Sequence, residues 1–182
     1  FIHGLNNKEE LHHIVITGPP GVGKTTLASL LGNVYLRMGF LENNKFIKAK
    51  RSDLIGEYLG QTAAKTQKLI NKCQGGVLFI DEAYSLGNKE GRDSYSKECI
   101  DTIVSNLAEK RRFVCIIAGY KKDLEQCFFS VNAGLRRRFP WIYTIEEYTP
   151  KELSEIFEKQ VGDASWYISQ KAREKLPSFF NE

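Results

Sequence analysis

The sequence is short of cysteine, proline, methionine and tryptophan, with 4, 5, 1 and 2 of each in 182 residues. The cysteines, Cys73, Cys99, Cys115 and Cys127, form no Cys-x-x-Cys pair and fall mostly in apolar segments. That pattern argues against disulfides or a zinc site and for buried thiols in a reducing compartment. His12 and His13 have no His or Cys partner at metal-ligand spacing, so histidine ligation is not expected. No apolar run approaches the ~18–20 residues that a membrane-spanning helix needs. A secretory signal is missing too, because charged and polar residues intervene across Asn6–Glu10. The expected location is the cytoplasm or another reducing intracellular compartment, with no membrane partner. Internal repeats and low-complexity tracts are absent. Charge is nearly balanced: the net value of +4 does not by itself argue for nucleic acid. The basic runs Lys45–Arg51 and Lys110–Arg112 read as solvated surface.

What is present is ordinary for a globular chain, with 42% hydrophobic and 26% charged residues. The length suits one sizeable core with a small appendage. Because it opens at Phe1 and stops at Glu182 soon after a helical pattern, the sequence reads as a piece of something longer. Strand-like apolar runs occur at His13–Thr17, Lys45–Ala49, Val77–Asp81, Phe113–Ala118 and Trp141–Ile145. Between them lie helical patterns. Lys24–Met38 carries Leu27, Leu30, Leu31 and Val34, with Gly39 as a stop signal. Thr62–Lys72 is a second helix. Ser94–Lys110 places Tyr95, Cys99, Ile103, Val104 and Leu107 on one stripe.

Strands alternating with helices predict an α/β fold: a doubly wound, parallel, five-stranded sheet covered on both faces. Past Pro150 the alternation stops. Lys151–Gln160, opened by Thr149-Pro150 and carrying Leu153, Ile156 and Phe157, and then Ser169–Leu176, read as the start of a helical lid. The expected division is therefore 1–148 for the α/β domain and 149–182 for an incomplete lid.

The segment Gly18-Pro19-Pro20-Gly21-Val22-Gly23-Lys24-Thr25 matches G-x-x-x-x-G-K-[ST] between a strand and a helix, the phosphate-loop context. Its glycines let backbone N–H groups turn inward around a phosphate, and the helix N-terminus adds its dipole. Lys24 is expected to neutralise β- and γ-phosphate oxygens and Thr25 to offer its hydroxyl to Mg²⁺, with Thr26 completing the binding segment. The strand Val77-Leu78-Phe79-Ile80 ends in Asp81-Glu82. Asp81 is the expected Mg²⁺ carboxylate, acting through water, and Glu82 the group that polarises an attacking water. An adjacent glutamate favours hydrolysis of a nucleoside triphosphate over phosphoryl transfer to another acceptor.

Three further places carry chemistry. Tyr120, at the end of the fourth strand, reads either as a hydroxyl sensing the γ-phosphate or as an aromatic packed beneath the site. Arg136-Arg137-Arg138 precede the last strand, where a guanidinium could reach a neighbouring subunit's nucleotide; Arg138 is placed first, with Arg136 and Arg137 as candidates. Gly56-Glu57-Tyr58-Leu59-Gly60 sets Tyr58 and Leu59 between flexible glycines, where they either grip a client polypeptide or, for Tyr58, fold back as core.

Taken together, these residues resemble the AAA+ ATPases, specifically the group containing the red-type Rubisco activase and the stage V sporulation protein K relatives. The stretch Arg51–Thr66, with Gly75–Tyr84 and Ile117–Tyr120, carries the likeness over nearly the whole chain. The resemblance implies ATP and Mg²⁺ as cofactors, assembly with itself into a hexameric ring, and work on a protein client. It implies that Tyr58 is the pore-loop tyrosine and that Arg138, in the Leu-x-x-Arg position, acts across the subunit interface. Ala133 departs from the group's Asn-Pro-Gly turn and three arginines replace one or two, which leaves the trans-acting position open by a residue or two. Two other readings stand beside this one: a nucleic-acid-handling ATPase, and an ATP-dependent assembly switch with little turnover.

Overall fold

The computed structural model describes residues 11–58, 60–88, 93–108 and 113–180. Among them, β1 (Ile14–Thr17), β2 (Phe46–Ala49), β3 (Val77–Ile80), β4 (Val114–Gly119) and β5 (Trp141–Thr144) form one sheet in the order β2-β3-β4-β1-β5. Every pairing is parallel, with Ile14 opposite Ile116 and Trp141, and Ile47 opposite Leu78. Parallel neighbours need crossovers, and helices supply them: α1 (Lys24–Arg37), α2 (Arg51–Leu54), α3 (Thr62–Lys72), α4 (Ser94–Leu107), α5 (Lys121–Asp123) and α6 (Leu135–Arg138). The expected α/β, parallel five-stranded sheet is the observed one.

The uninterrupted apolar strands have a direct cause. Successive side chains point to opposite faces, and here both faces are covered. Val15, Leu78, Ile80, Cys115 and Ile117 join the core that also holds Ile70, Cys99 and Ile103 from α3 and α4. Their neighbours Ile14, Ile16, Val77, Phe79, Ile116 and Ala118 pack on the other face with Ala28 of α1.

Two expectations about helix faces need correcting. In α1 the buried positions are Ala28 and Gly32, whereas Leu30 and Val34 are 57% and 47% exposed. The helix lies so close to the sheet that a Cβ on Gly32 would sit 3.0 Å from Val77 Cγ2, so small residues face inward and larger ones flank them. In α4 the buried face holds Ile100, Ser96 and Asn106 beside Cys99, Ile103 and Leu107, while Tyr95 and Val104 are half-buried. Ser96 and Asn106 are tolerated there because both are hydrogen-bonded, to Asp93 and Gln67 respectively. Gly39 does stop α1, at φ +77°, with Phe40 N–H donating to Tyr35 O and Gly39 N–H to Leu36 O, the paired bonds of a Schellman ending.

Cys73, Cys99 and Cys115 are buried free thiols. Burial pushes Cys73 up to about 12 and Cys99 to about 11, so neither is a thiolate at neutral pH.

His13, also buried, ties three elements together. Its Nδ1 accepts the Cys115 N–H at 3.0 Å, and its Nε2 lies 3.3 Å from the Leu107 carbonyl, an arrangement that fits the neutral ring with the proton on Nε2. Burial lowers its pKa from 6.5 to about 4. Between those values the unfolded chain binds more protons than the folded one, so stability rises with pH across this window. Acidification from pH 6.5 towards 4 is expected to remove up to about 3 kcal/mol through this group. Urea unfolding of the wild type and of His13→Asn at a series of pH values checks this: the variant should be weaker at pH 7 but lose much less on acidification.

A second compact unit runs from Glu146 onward. Its main helix α7 (Pro150–Asp163) opens with Thr149 as N-cap and a reciprocal Thr149–Glu152 capping box, followed by Pro150 in the first turn. The stretch expected as one helix over Ser169–Leu176 is two short ones, α8 (Gln170–Arg173) and α9 (Leu176–Phe179). Arg173 pairs with Glu158 at 3.0 Å, and the Phe157 and Phe180 rings meet edge to face.

Candidate functional site

The C-terminal ends of β1, β3 and β4 meet at a cleft of about 350 Å³ lined by Pro20, Gly21, Gly23, Lys24, Thr25, Asp81, Glu82, Tyr84, Gly119 and Tyr120. Segments far apart in the chain converge here because adjacent parallel strands end together.

The loop 18–23 owes its path to its glycines. Gly21 and Gly23 have φ of +79° and +88°, in the left-handed region that other residues rarely adopt. A Cβ on Gly18 would come within 2.6 Å of the Ile145 carbonyl oxygen. Gly23 is the N-cap of α1 and offers no side-chain acceptor, and the first turn contains no acid, so that turn's N–H groups are left to an external anion. Pro19 and Pro20 carry the loop outward, and Val22 is buried beneath it. The Lys24 ammonium donates to the carbonyls of Gly18 at 2.9 Å and Pro19 at 2.6 Å, and lies 5.8 Å from the centre of the Tyr120 ring. Thr26, the next residue of α1, is exposed.

Asp81 leaves the end of β3 with its side chain 25% exposed. Glu82 follows at φ +50°, unusual for a residue with a Cβ, and is exposed. This backbone turn starts a 3-10 segment, Ala83–Leu86, held by the Ser85 N–H donating to Glu82 O. Burial first, then the neighbouring Glu82 carboxylate, raises Tyr84 to about 12. Gly119 makes room for Tyr84, since a Cβ there would lie 2.9 Å from Tyr84 Cδ1. Nothing in the sequence reading singled out Tyr84; its position two residues beyond Glu82 was the available signal.

Tyr120 is 40% exposed at the cleft rim, its ring centre 6.1 Å from that of Tyr84, and so is not packed beneath the site.

The residues Thr25 and Asp81 suit Mg²⁺, which typically takes one or two protein oxygens and completes its shell with phosphate oxygens and water. Among the described residues no group of three or more His, Cys, Asp or Glu could hold a metal by itself. The structure adds a third residue at this place. Lys48 of β2 reaches Asp81 Oδ2 at 2.8 Å and Thr25 Oγ1 at 3.4 Å. Its basic run reads in the sequence as solvated surface, but Lys48 points at the cleft.

Arg51 departs from the same expectation. Its guanidinium donates to Ser85 O at 2.6 Å, Ser96 Oγ at 3.0 Å and Asp93 Oδ2 at 2.7 Å. Burial opposes ionisation of Asp93, but hydrogen bonds from Ser96 and Arg51 outweigh it and hold the carboxyl at about 2. Through Arg51 the start of α2, which leads into the loop at 56–60, is tied to the segment behind Glu82. The loop closes where Gly56 N–H donates to Thr62 Oγ1 at 3.0 Å, and Lys65 donates to the carbonyls of Ser52 and Ile55. At its tip Tyr58 is 67% exposed and is not core. Leu59 lies outside the described residues, as do Lys110–Arg112.

The three arginines of α6 differ. Arg136 pairs with Glu125 at 3.3 Å and stacks over Phe129. Arg138 turns back, donating to Gly134 O at 2.9 Å, and its buried Nε has no hydrogen-bond partner among the described residues. Arg137 is exposed, and no partner for it is found among the described residues. None of the three lines the cleft. Among the described residues no helix is long and apolar enough to cross a membrane.

Comparison with known proteins agrees with this geometry. Residues 14–146 match the family described as "ATPase family associated with various cellular activities (AAA)". The chain is 48% identical over 175 residues to the putative cfxQ-like protein R730 of Acanthamoeba polyphaga mimivirus, covering 96% of this chain and 43% of that protein. It is 41% identical to the stage V sporulation protein K of Bacillus subtilis (strain 168), over 97% of this chain and 54% of that protein. The chain thus spans about half the length of these relatives. Among solved structures, the RuvB Holliday junction branch migration motor of Thermotoga maritima superposes with a TM-score of 0.64 at 23% identity, over 91% of this chain and 48% of that one. The FIGL-1 AAA domain in complex with ADP superposes with a TM-score of 0.63 at 18% identity, over 95% of this chain and 55% of that one.

Proposed function

As this chain belongs to the AAA family of ATPases, we propose that it is a Mg²⁺-dependent ATP-hydrolysing motor domain that assembles with copies of itself and acts on a protein client. The observation that carries this reading is the convergence of the 18–25 loop, Asp81 and Glu82 on one cleft.

In this reading Gly18–Gly23 and the first turn of α1 hold the phosphates through backbone N–H groups, and Lys24 leaves its loop carbonyls to pair with phosphate oxygens. Thr25 and Asp81 hold Mg²⁺, which when bound neutralises charge on the β- and γ-phosphates. Glu82 takes the proton of the attacking water, with Tyr84 lining the same cleft. Tyr120 borders the γ-phosphate position. A positive charge from a neighbouring copy completes the site. Arg138 is favoured for this role by its spacing from Leu135, and Arg137 by its exposure. The family likeness favours a ring, a hexamer being the arrangement to test, with Tyr58 and Leu59 as the client-contacting loop. The segment from about Thr149 onward serves as the beginning of a lid.

The test is ATP turnover per subunit against protein concentration, in a protein carrying the complete lid. Turnover rising with concentration, and falling by roughly 10³-fold or more in Arg137→Ala or Arg138→Ala, supports a site shared between copies and identifies the arginine. A rate independent of concentration and insensitive to both substitutions would refute the shared site. Strong stimulation by DNA with a steep salt dependence would move the client from protein to nucleic acid.

A further inference from the structure

We propose that Lys48 competes with the divalent cation of the nucleotide site and sets the Mg²⁺ concentration at which nucleotide is held. The inference rests on the reading of this cleft as a Mg²⁺-nucleotide site. It starts from a coincidence of position. The two protein oxygens suited to the metal, Thr25 Oγ1 on α1 and Asp81 Oδ2 after β3, are bridged by one ammonium, at 3.4 Å and 2.8 Å. That ammonium comes from a third element, β2, whose register puts Lys48 opposite Phe79. The Lys48 ammonium also lies over the Phe79 ring, with Nζ 5.7 Å from its centre.

An exposed Lys–Asp pair generally contributes little to stability, so holding the fold together is a weak reason for this contact. Its location has a consequence for binding. Mg²⁺ approaches a direct oxygen ligand to about 2.0–2.1 Å, or sets one of its own waters against an outer oxygen, and demands a near-octahedral shell. An ammonium hydrogen-bonded to the same carboxylate oxygen, and within reach of the same hydroxyl, overlaps that shell and repels the ion. The inward lysine and the bound metal are therefore alternative states. By linkage, whatever free energy favours the inward lysine is subtracted from metal affinity. The lysine has somewhere to go, because its side chain is 42% exposed. Once displaced, it remains beside the cleft as a positive charge. Without metal, it supplies part of the countercharge Asp81 would otherwise lack.

The test measures affinity for a fluorescent ATP analogue as a function of free Mg²⁺, in the wild type, Lys48→Met and Lys48→Arg. Methionine keeps an unbranched stem and removes the charge; arginine keeps the charge. Lys48→Met should need roughly five- to tenfold less Mg²⁺ for half-saturation, and Lys48→Arg should need at least as much as the wild type. An unchanged or higher requirement in Lys48→Met overturns the proposal. So does an equal fall in both variants, which would assign the effect to side-chain shape. If none of the three binds the analogue at any Mg²⁺ concentration, the nucleotide-site reading itself fails, and the inference with it.

Discussion

Replacing Glu82 by glutamine is expected to lower ATP turnover by roughly 10²–10⁴-fold while leaving ATP affinity nearly unchanged. Glutamine has the same shape, and the turn is held by the backbone bond from Ser85 N–H to Glu82 O, so the left-handed turn at Glu82 and the cleft wall should persist. What is lost is the ability to take a proton from water. Separating binding from chemistry makes the experiment decisive, with single-turnover ATP hydrolysis beside equilibrium binding of a fluorescent analogue. A variant that hydrolyses at the wild-type rate would remove Glu82 from the mechanism. A variant that no longer binds would mean the carboxylate supports the cleft instead. The same measurements speak to the assembly-switch reading, because a domain that only binds and assembles would show negligible turnover even in the wild type.

The second large effect concerns Lys24. Lys24→Ala should weaken nucleotide binding by about 10²-fold, as expected when a charge-assisted hydrogen bond to phosphate is lost from a partly enclosed site. The substitution also removes the two bonds to the carbonyls of Gly18 and Pro19, so the loop loses its internal brace. Those carbonyls remain accessible to water at the cleft mouth, and the thermal midpoint should move by only a few degrees. Affinity read by fluorescence titration, with the midpoint read by calorimetry, distinguishes the two contributions. Full retention of affinity would sink the assignment of the 18–25 loop as the phosphate cradle. Lys24→Arg is not expected to rescue, since a planar guanidinium cannot take the place of a compact ammonium inside so tight a turn.

Much of this site could be read along the chain because its parts are contiguous. The 18–25 loop requires particular backbone conformations at Gly21 and Gly23, and those requirements appear directly as residue types. Val77–Ile80 is apolar throughout because both of its faces are covered, so burial and the position of Asp81 at the strand's end were visible together. The expected strands lie within a residue of the observed ones at nearly every end. Helix faces were less legible. Leu30 and Val34 have the right spacing for a buried stripe in α1, yet Ala28 and Gly32 face the sheet, because how closely a helix approaches depends on its partner's side chains. The turns at 121–131 went unseen, since three- to five-residue segments are too short to show a period.

The sequence alone therefore determined the fold class, the strand-to-helix order and the phosphate-loop and Asp-Glu motifs, because each depends on neighbours in the chain and on local burial. Only the tertiary structure decided which charged side chains face the site. Lys48 and Arg51 belong to one basic run, and nothing in that run distinguishes them from Lys45 or Lys50. One reaches Asp81 because β2 lies beside β3 in a particular register; the other reaches Ser85 and Asp93 because α2 lies against the 3-10 segment after Glu82. Tyr84 joins Glu82 in lining the cleft because the chain takes a left-handed turn there, and Arg138 folds back while Arg137 is exposed because of their places on α6. A charge's partner is set by three-dimensional distance, which strand register and helix packing fix and which residue order, read by itself, does not encode at any single position.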